Sequence, residues 1–239
     1  MIKVLVWNIY ALCYDVILFS IPHRKMFGRV INHLVDNGLV NVVDFGSGTG
    51  NLEVIGRKSG INFLCLDFSL AMSRILEFKK LLLNFDARTI QHDIDDLPPR
   101  ETFGSCDAAV LINVIFASAD LAGLIKSVDL TLKKKAAICL VWPKKSFDIM
   151  EIVKLHCGEV IKSSPLGYAV LFLQLTLLAL PLACLILINV VVLSFFEKGN
   201  YRNYTPDEVK DLLIARGFRV VDEESTLADQ EYLLIAHRG

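Results

Sequence analysis

The nine residues from Val42 to Gly50, V-V-D-F-G-S-G-T-G, constrain the fold of this chain more than any other stretch. A short apolar run ends in a carboxylate and three alternating glycines, and a helical pattern follows. This order predicts a buried strand that turns sharply into a helix, the opening unit of a layered α/β sheet. Gly46, Gly48 and Gly50 permit backbone angles closed to other residues, and the free N–H groups at the helix start offer donors to a ligand. The dinucleotide fingerprint G-x-G-x-x-G needs its third glycine at position 51, where the chain has Asn51. A carboxylate two residues before the first glycine, Asp44, repels a pyrophosphate at short range and favours a ligand carrying positive charge.

S-adenosylmethionine carries an ammonium and a sulfonium, and D-F-G-S-G-T-G at Asp44–Gly50 is similar to the first motif of the class I S-adenosylmethionine-dependent methyltransferases, of the type 11 kind. The resemblance runs from about Asn41 to the C-terminus, apart from one insert. It implies a Rossmann-like doubly wound sheet with a C-terminal β-hairpin, and cofactor contacts from Asp44, Gly46, Ser47, Gly48, Thr49 and Gly50. A second apolar run, I-N-F-L-C-L-D, ends in Asp67, 23 positions after Asp44, the length of one strand-helix-strand step. An acidic residue there can hold both ribose hydroxyls, with Phe68 beside it; the alternative for Asp67 is a helix cap. H-D-I-D-D-L-P resembles the adenine-side loop, which assigns Asp93 to the exocyclic amine and Ile94 to the ring, while Asp95 and Asp96 read as solvated charges. C-D-A-A-V-L-I-N-V-I-F resembles the strand whose end faces the transferable methyl, so Asn113 is expected both among the cofactor contacts and as a catalytic residue, or else as a helix cap.

Two positions depart from the family pattern. A His common after strand four is Ala117, and the Pro-Gly-Gly turn before strand five is replaced by Lys134, Lys135 and Ala136. Further along, T-P-D-E at Thr205–Glu208 is a capping box with Pro206 at the first helical position, and two strands, F-R-V-V-D and E-Y-L-L-I-A-H, close the sheet. The expected organisation is N-terminal apolar capping helices over 1–39, a cofactor-binding core over 40–165, an insert over 166–196 and completion of the core over 197–239. A net charge of −1 argues against nucleic acid as a partner. The six cysteines and five histidines lack ligand or pairing spacing, so no metal is expected, and the cysteines read as small core residues in a reducing compartment.

The insert is the anomaly. Leu166 to Phe196 holds 31 residues without a charge, whereas about 20 apolar residues suffice to cross a bilayer. A single crossing is excluded if strands five and six share one sheet, because both must lie on one side of the membrane. Pro181 divides the run into two arms of 15 residues, each about 22 Å long and too short to span, which predicts a hairpin or kinked helix dipping into one leaflet. Lys154 and Lys162 before it, with Lys198 and Arg202 after it, place both ends on the cytoplasmic side. A buried homo-oligomer interface or a long hydrophobic lid is the alternative. Residues 1 to 21 read as an apolar helix lying against the membrane, with His23, Arg24 and Lys25 facing headgroups. The family resemblance also makes Tyr14 and Asp15 a cofactor-covering pair, with Tyr14 at the catalytic centre; core packing is the other account of Tyr14. Together these features predict a membrane-associated methyltransferase acting on a lipophilic acceptor, such as a quinone precursor or lipid headgroup. Displacement at an activated sulfonium needs no obligatory acid/base pair. A non-catalytic, membrane-tethered binding or assembly subunit is the reading from another class.

Overall fold

The computed structural model describes residues 2–197 and 201–239, so Lys198 lies outside the described residues. The chain begins with α1 (Ile2–Tyr14), a short 3-10 segment (Asp15–Phe19) and α2 (Ile21–Asp36). Alternating strands and helices follow: β1 (Asn41–Phe45), α3 (Asn51–Gly56), β2 (Asn62–Asp67), α4 (Leu70–Leu83), β3 (Arg88–Gln91), β4 (Cys106–Ile112), α5 (Leu121–Thr131) and β5 (Leu132–Pro143). After α6 (Ile149–Ser163), α7 (Gly167–Glu197) and α8 (Pro206–Ile214), the hairpin β6 (Phe218–Thr226) and β7 (Glu231–Arg238) ends the chain. The seven strands lie in the order β3-β2-β1-β4-β5-β7-β6, with β7 antiparallel to its neighbours.

The period-2 alternation of strand side chains sorts the core into two layers. Val43, Phe45, Leu111, Leu140 and Trp142 pack with α5 and α8 on one face of the sheet. Val42, Cys65, Val110, Cys139 and Ile235 face α1, α2, α4 and α7 on the other. Both faces are covered, which is why the parallel strands read as unbroken apolar runs. Strand order reverses between β1 and β4, so the crevice beyond their carboxyl ends is the topological switch point where open α/β sheets bind ligands.

Where Lys134–Ala136 replace the family's Pro-Gly-Gly turn, the chain makes no turn: α5 runs directly into β5, Leu132 pairs with Cys106, and a register shift before Ala108 absorbs the extra residues. The two lysines are exposed strand residues there, where no glycine angle is needed.

The hairpin predicted at Pro181 does not form either. α7 is one continuous helix of 31 residues with Pro181 inside it. Proline costs the helix one backbone hydrogen bond, but the flanking Leu180 and Leu182 give the chain no means of reversing, so the helix continues. Its inward residues recur at three- and four-residue steps, Leu171, Gln174, Leu178, Leu182, Leu185, Asn189 and Val192, and lie on the body along α1 and α6. The opposite face, including Phe172, Leu173, Leu177, Leu180 and Leu187, is exposed.

His23 also departs from expectation. Its ring turns inward to Ser20, and burial pulls its pKa down to about 4, so it is neutral and does not meet headgroups. Lys25 pairs with Glu159 of α6, and only Arg24 stays on the surface without a carboxylate among the described ion pairs.

Candidate active site

The glycine turn sits at the switch point. Gly46 and Gly50 adopt φ of 73° and 77°, and a side chain at Gly46 would come within 2.5 Å of Val114, so neither position admits another residue without strain. The turn is held from two sides. Asp67, at the end of β2, accepts from the Gly48 N–H at 2.8 Å and the Ser69 N–H at 2.7 Å. From above, the aromatic ring of Tyr14 packs on Gly48, while Asp15 accepts from the Thr49 hydroxyl at 2.5 Å. Lys79 of α4 reaches beneath the turn to Asp15, Thr49 and Asn51. The Tyr14–Asp15 pair therefore lies against the turn.

Buried carboxyls gather beside the turn. Asp44 is 3% exposed and Glu53 of α3 is fully buried; burial first, and their mutual repulsion second, push the Asp44 carboxyl well up. Asp44 Oδ1 and Glu53 Oε2 receive no donor from any other described side chain, and the two carboxyls hydrogen-bond to each other, with Asp44 holding the proton. Burial also raises Asp67 to about 6, against the pull of its two backbone donors. A cationic ligand group beside this carboxyl pair would displace the shared proton and pair with the charge left behind. Sequence reading missed Glu53; its signal is a charge between Leu52 and Val54 in an otherwise inward-facing short helix.

Other expected site residues fall at the same end of the sheet. Phe68 and Asp93 follow β2 and β3, and Asp93 is exposed at the rim, accepting from the Asp95 N–H. Ile94 is 6% exposed and packs into the core layer beneath. Ser47 is buried, and its hydroxyl has no partner among the described residues. Asp95 is not merely solvated: it accepts from the Ser118 hydroxyl and the Ala119 N–H, fixing the segment after β4. Asn113 caps no helix. It holds a left-handed φ of 56° and donates from Nδ2 to Glu231 Oε1 at 2.7 Å.

Glu231, at the start of β7, is the second residue that sequence reading passed over. It is 2% exposed, its Oε2 has no partner among the described residues, and burial raises its pKa to about 7. A charge opening the apolar run E-Y-L-L-I-A-H was the available signal. No group of three metal-ligating side chains occurs among the described residues.

A family model described as "Methyltransferase domain" matches residues 43–140. No curated protein matches the sequence. Among solved structures, the fold is similar to a magnesium protoporphyrin IX methyltransferase from Synechocystis PCC 6803 with bound SAH, at 16% identity and a TM-score of 0.60, covering 92% of this chain and 84% of that one. A S-adenosylmethionine-dependent methyltransferase from Clostridium acetobutylicum ATCC 824 superposes with a TM-score of 0.62 at 13% identity, over 98% and 99% of the two chains. A putative methyltransferase of the same class from Methanococcus maripaludis gives 0.60 at 18% identity, over 95% and 91%. The fold is that of the class I S-adenosylmethionine-dependent methyltransferases. The methyltransferase-domain match falls on residues 43–140, the stretch from β1 to β5 that carries the glycine turn.

Proposed function

We propose that this methyltransferase acts on a lipophilic acceptor held in or at a membrane, of the quinone-precursor or lipid-headgroup kind, with its catalytic domain on the cytoplasmic side. The observation that carries the reading is the placement of α7. Its exposed apolar face runs beside α1, the helix that leads to Tyr14 over the glycine turn, and Tyr10 of α1 is joined to Asn189 of α7 by hydrogen bonds. Leu5, Ile9 and Leu12 of α1 are exposed as well. About 46 Å of helix whose inner stripe is packed on the domain cannot leave it to cross a bilayer, so the helix lies in the membrane plane with its outer face in the acyl region.

The turn residues would hold the donor. The hydrogen-bonded Asp44–Glu53 carboxyl pair would meet the ammonium, Asp67 retains lone pairs for the ribose hydroxyls, and Tyr14 closes over Gly48. The donor supplies an electrophilic methyl on sulfur. The chain's own work is to hold the acceptor in line near Asn113 and to exclude water through α1.

Two measurements test this. Calorimetry is expected to show S-adenosylmethionine and its demethylated product binding while NAD gives no heat, with Asp67→Ala weakening both by about 1 to 3 kcal/mol through lost charge-assisted hydrogen bonds. Unchanged affinity in that variant removes Asp67 from the site. For the membrane, the whole insert is a poor target for deletion, because Leu185 and Val192 are buried in the body. The triple variant Leu173→Glu, Leu177→Glu, Leu180→Glu changes exposed positions only. Its partition into anionic vesicles is expected to fall at least tenfold, since each leucine contributes about 1.5 to 3 kcal/mol when buried, with cofactor affinity within twofold of the parent. Equal vesicle flotation of parent and variant defeats the membrane reading, and a change in oligomeric state instead marks α7 as a subunit interface.

A further inference from the structure

Two oxygens beside the end of β4 have no donor. Asn113 Oδ1 and Glu231 Oε2 are both buried and unpartnered among the described residues, while the other half of each group is engaged, Nδ2 to Oε1. That bond also settles which way the Asn113 amide points. Its backbone is fixed as well: the Asn113 N–H donates to Val141 O at 2.8 Å, and the left-handed φ turns the residue away from the strand direction. Buried polar atoms without partners are uncommon in native proteins, and each one asks for an explanation. Here both orphans are acceptors, so the group that completes them is a donor. Glu231 also faces α1, where its charge bears on Tyr10 and Tyr14, and Tyr14 is the ring that rests on Gly48. Val114, the residue after Asn113, is what a side chain at Gly46 would meet, so the pair lies beside the glycine turn at the β4 end.

We propose that Asn113 Oδ1 and Glu231 Oε2 form the cradle of the acceptor atom, that this atom is an O–H or N–H heteroatom rather than carbon, and that Glu231 takes its proton during transfer. The electron balance is simple. The heteroatom's lone pair forms the new bond to the methyl, the electrons of the broken sulfur–carbon bond return to sulfur and cancel its charge, and the acceptor's proton ends on Glu231 Oε2. This inference rests on the cofactor reading above and adds the acceptor class and a catalytic residue to it. Burial supports the assignment, because a carboxyl raised to about 7 is a competent proton acceptor near neutral pH.

The test uses no acceptor. Sinefungin carries a protonated amine where the methyl donor carries its sulfonium methyl, so the amine stands in for a donor at the transfer point; SAH shares the rest of the molecule and lacks it. At pH 8 the wild-type protein is expected to bind sinefungin about 10- to 100-fold more tightly than SAH, the range of a charge-assisted hydrogen bond. That ratio should shrink by up to about tenfold per pH unit below 7, as Glu231 is protonated. Asp44 and Asp67 face parts common to both ligands and cancel in the ratio. From α1 the facing groups are Tyr10 and Tyr14, which burial keeps neutral through this range, and the register partners of Glu231 on β5 and β6 are Pro143 and Thr226, which do not titrate. Glu231→Gln should abolish both the pH dependence and most of the preference while leaving SAH affinity unchanged. If that variant fails to fold, the pH slope of the wild-type ratio decides alone. A ratio independent of pH, or a preference that survives Glu231→Gln, overturns the proposal. Failure of both ligands to bind overturns the cofactor reading itself.

Discussion

Glu231→Gln is expected to stabilise the ligand-free protein at pH 8 by about 3 kcal/mol and to leave it unchanged near pH 4.5. The sign follows from linkage. The Glu231 carboxyl moves from an ordinary 4.5 in the unfolded chain up to about 7 in the folded one, so folding favours the protonated form. The stability this confers is fully present below 4.5 and is lost as pH rises through 7, because the folded state must then bury a charge that the Asn113 amide only partly compensates. Glutamine carries no such cost. In a chain of this size about 3 kcal/mol corresponds to a gain of about 6 to 12 °C in melting temperature. Thermal melts of both proteins from pH 5 to pH 8 measure the effect. A gap that does not widen with pH means that the carboxylate has a compensating partner, and the acceptor cradle loses its energetic rationale. The same experiment describes a stability cost retained at a site poised for chemistry.

Lys79→Ala should be the most damaging single change near the glycine turn, costing about 3 kcal/mol. The ammonium is almost fully buried and holds three elements together through Asp15, Thr49 and Asn51, and its charge also lowers the cost of ionising Glu53. Removing one partner of a buried ion pair strands the other, at about 3 to 5 kcal/mol; the lower end applies here because Asp15 retains some access to water. Lys80→Ala provides the contrast. Its partner Glu77 is half exposed, so a change within about 0.5 kcal/mol is expected. Equal melting temperatures for the two variants would show that Lys79 is not the tie between the 3-10 segment after α1, the turn and α4.

Much of the fold was legible because its signals are local. The β1 run, the three glycines, the spacing to Asp67 and the capping box at Thr205–Glu208 each depend on residues a few positions apart, and all appear where the sequence placed them, the capping box with both reciprocal hydrogen bonds. Glu53 and Glu231 were not legible. One glutamate in a short helix and another at a strand start look like surface charges until β2 and β4 are laid beside them. The expectation that no obligatory acid/base pair is needed rested on the sulfonium's own reactivity, and it contained nothing about a carboxylate 118 residues from Asn113.

The course of the insert shows the same division. Thirty-one residues without charge settle by composition alone that Leu166–Phe196 is apolar and must be covered by something other than water. Whether such a run turns back or continues is decided by what it can pack against. The stripe from Leu171 to Val192 finds α1 and α6 along its length, and that burial outweighs the single hydrogen bond forgone at Pro181. By itself the sequence determined the α/β class, the position of the glycine turn and the sign of charge it favours, since these follow from residue type and short spacing. Only the tertiary structure decided that α7 is a single helix on the body and that Asn113 and Glu231 form a pair, because both depend on contacts between residues far apart in the chain.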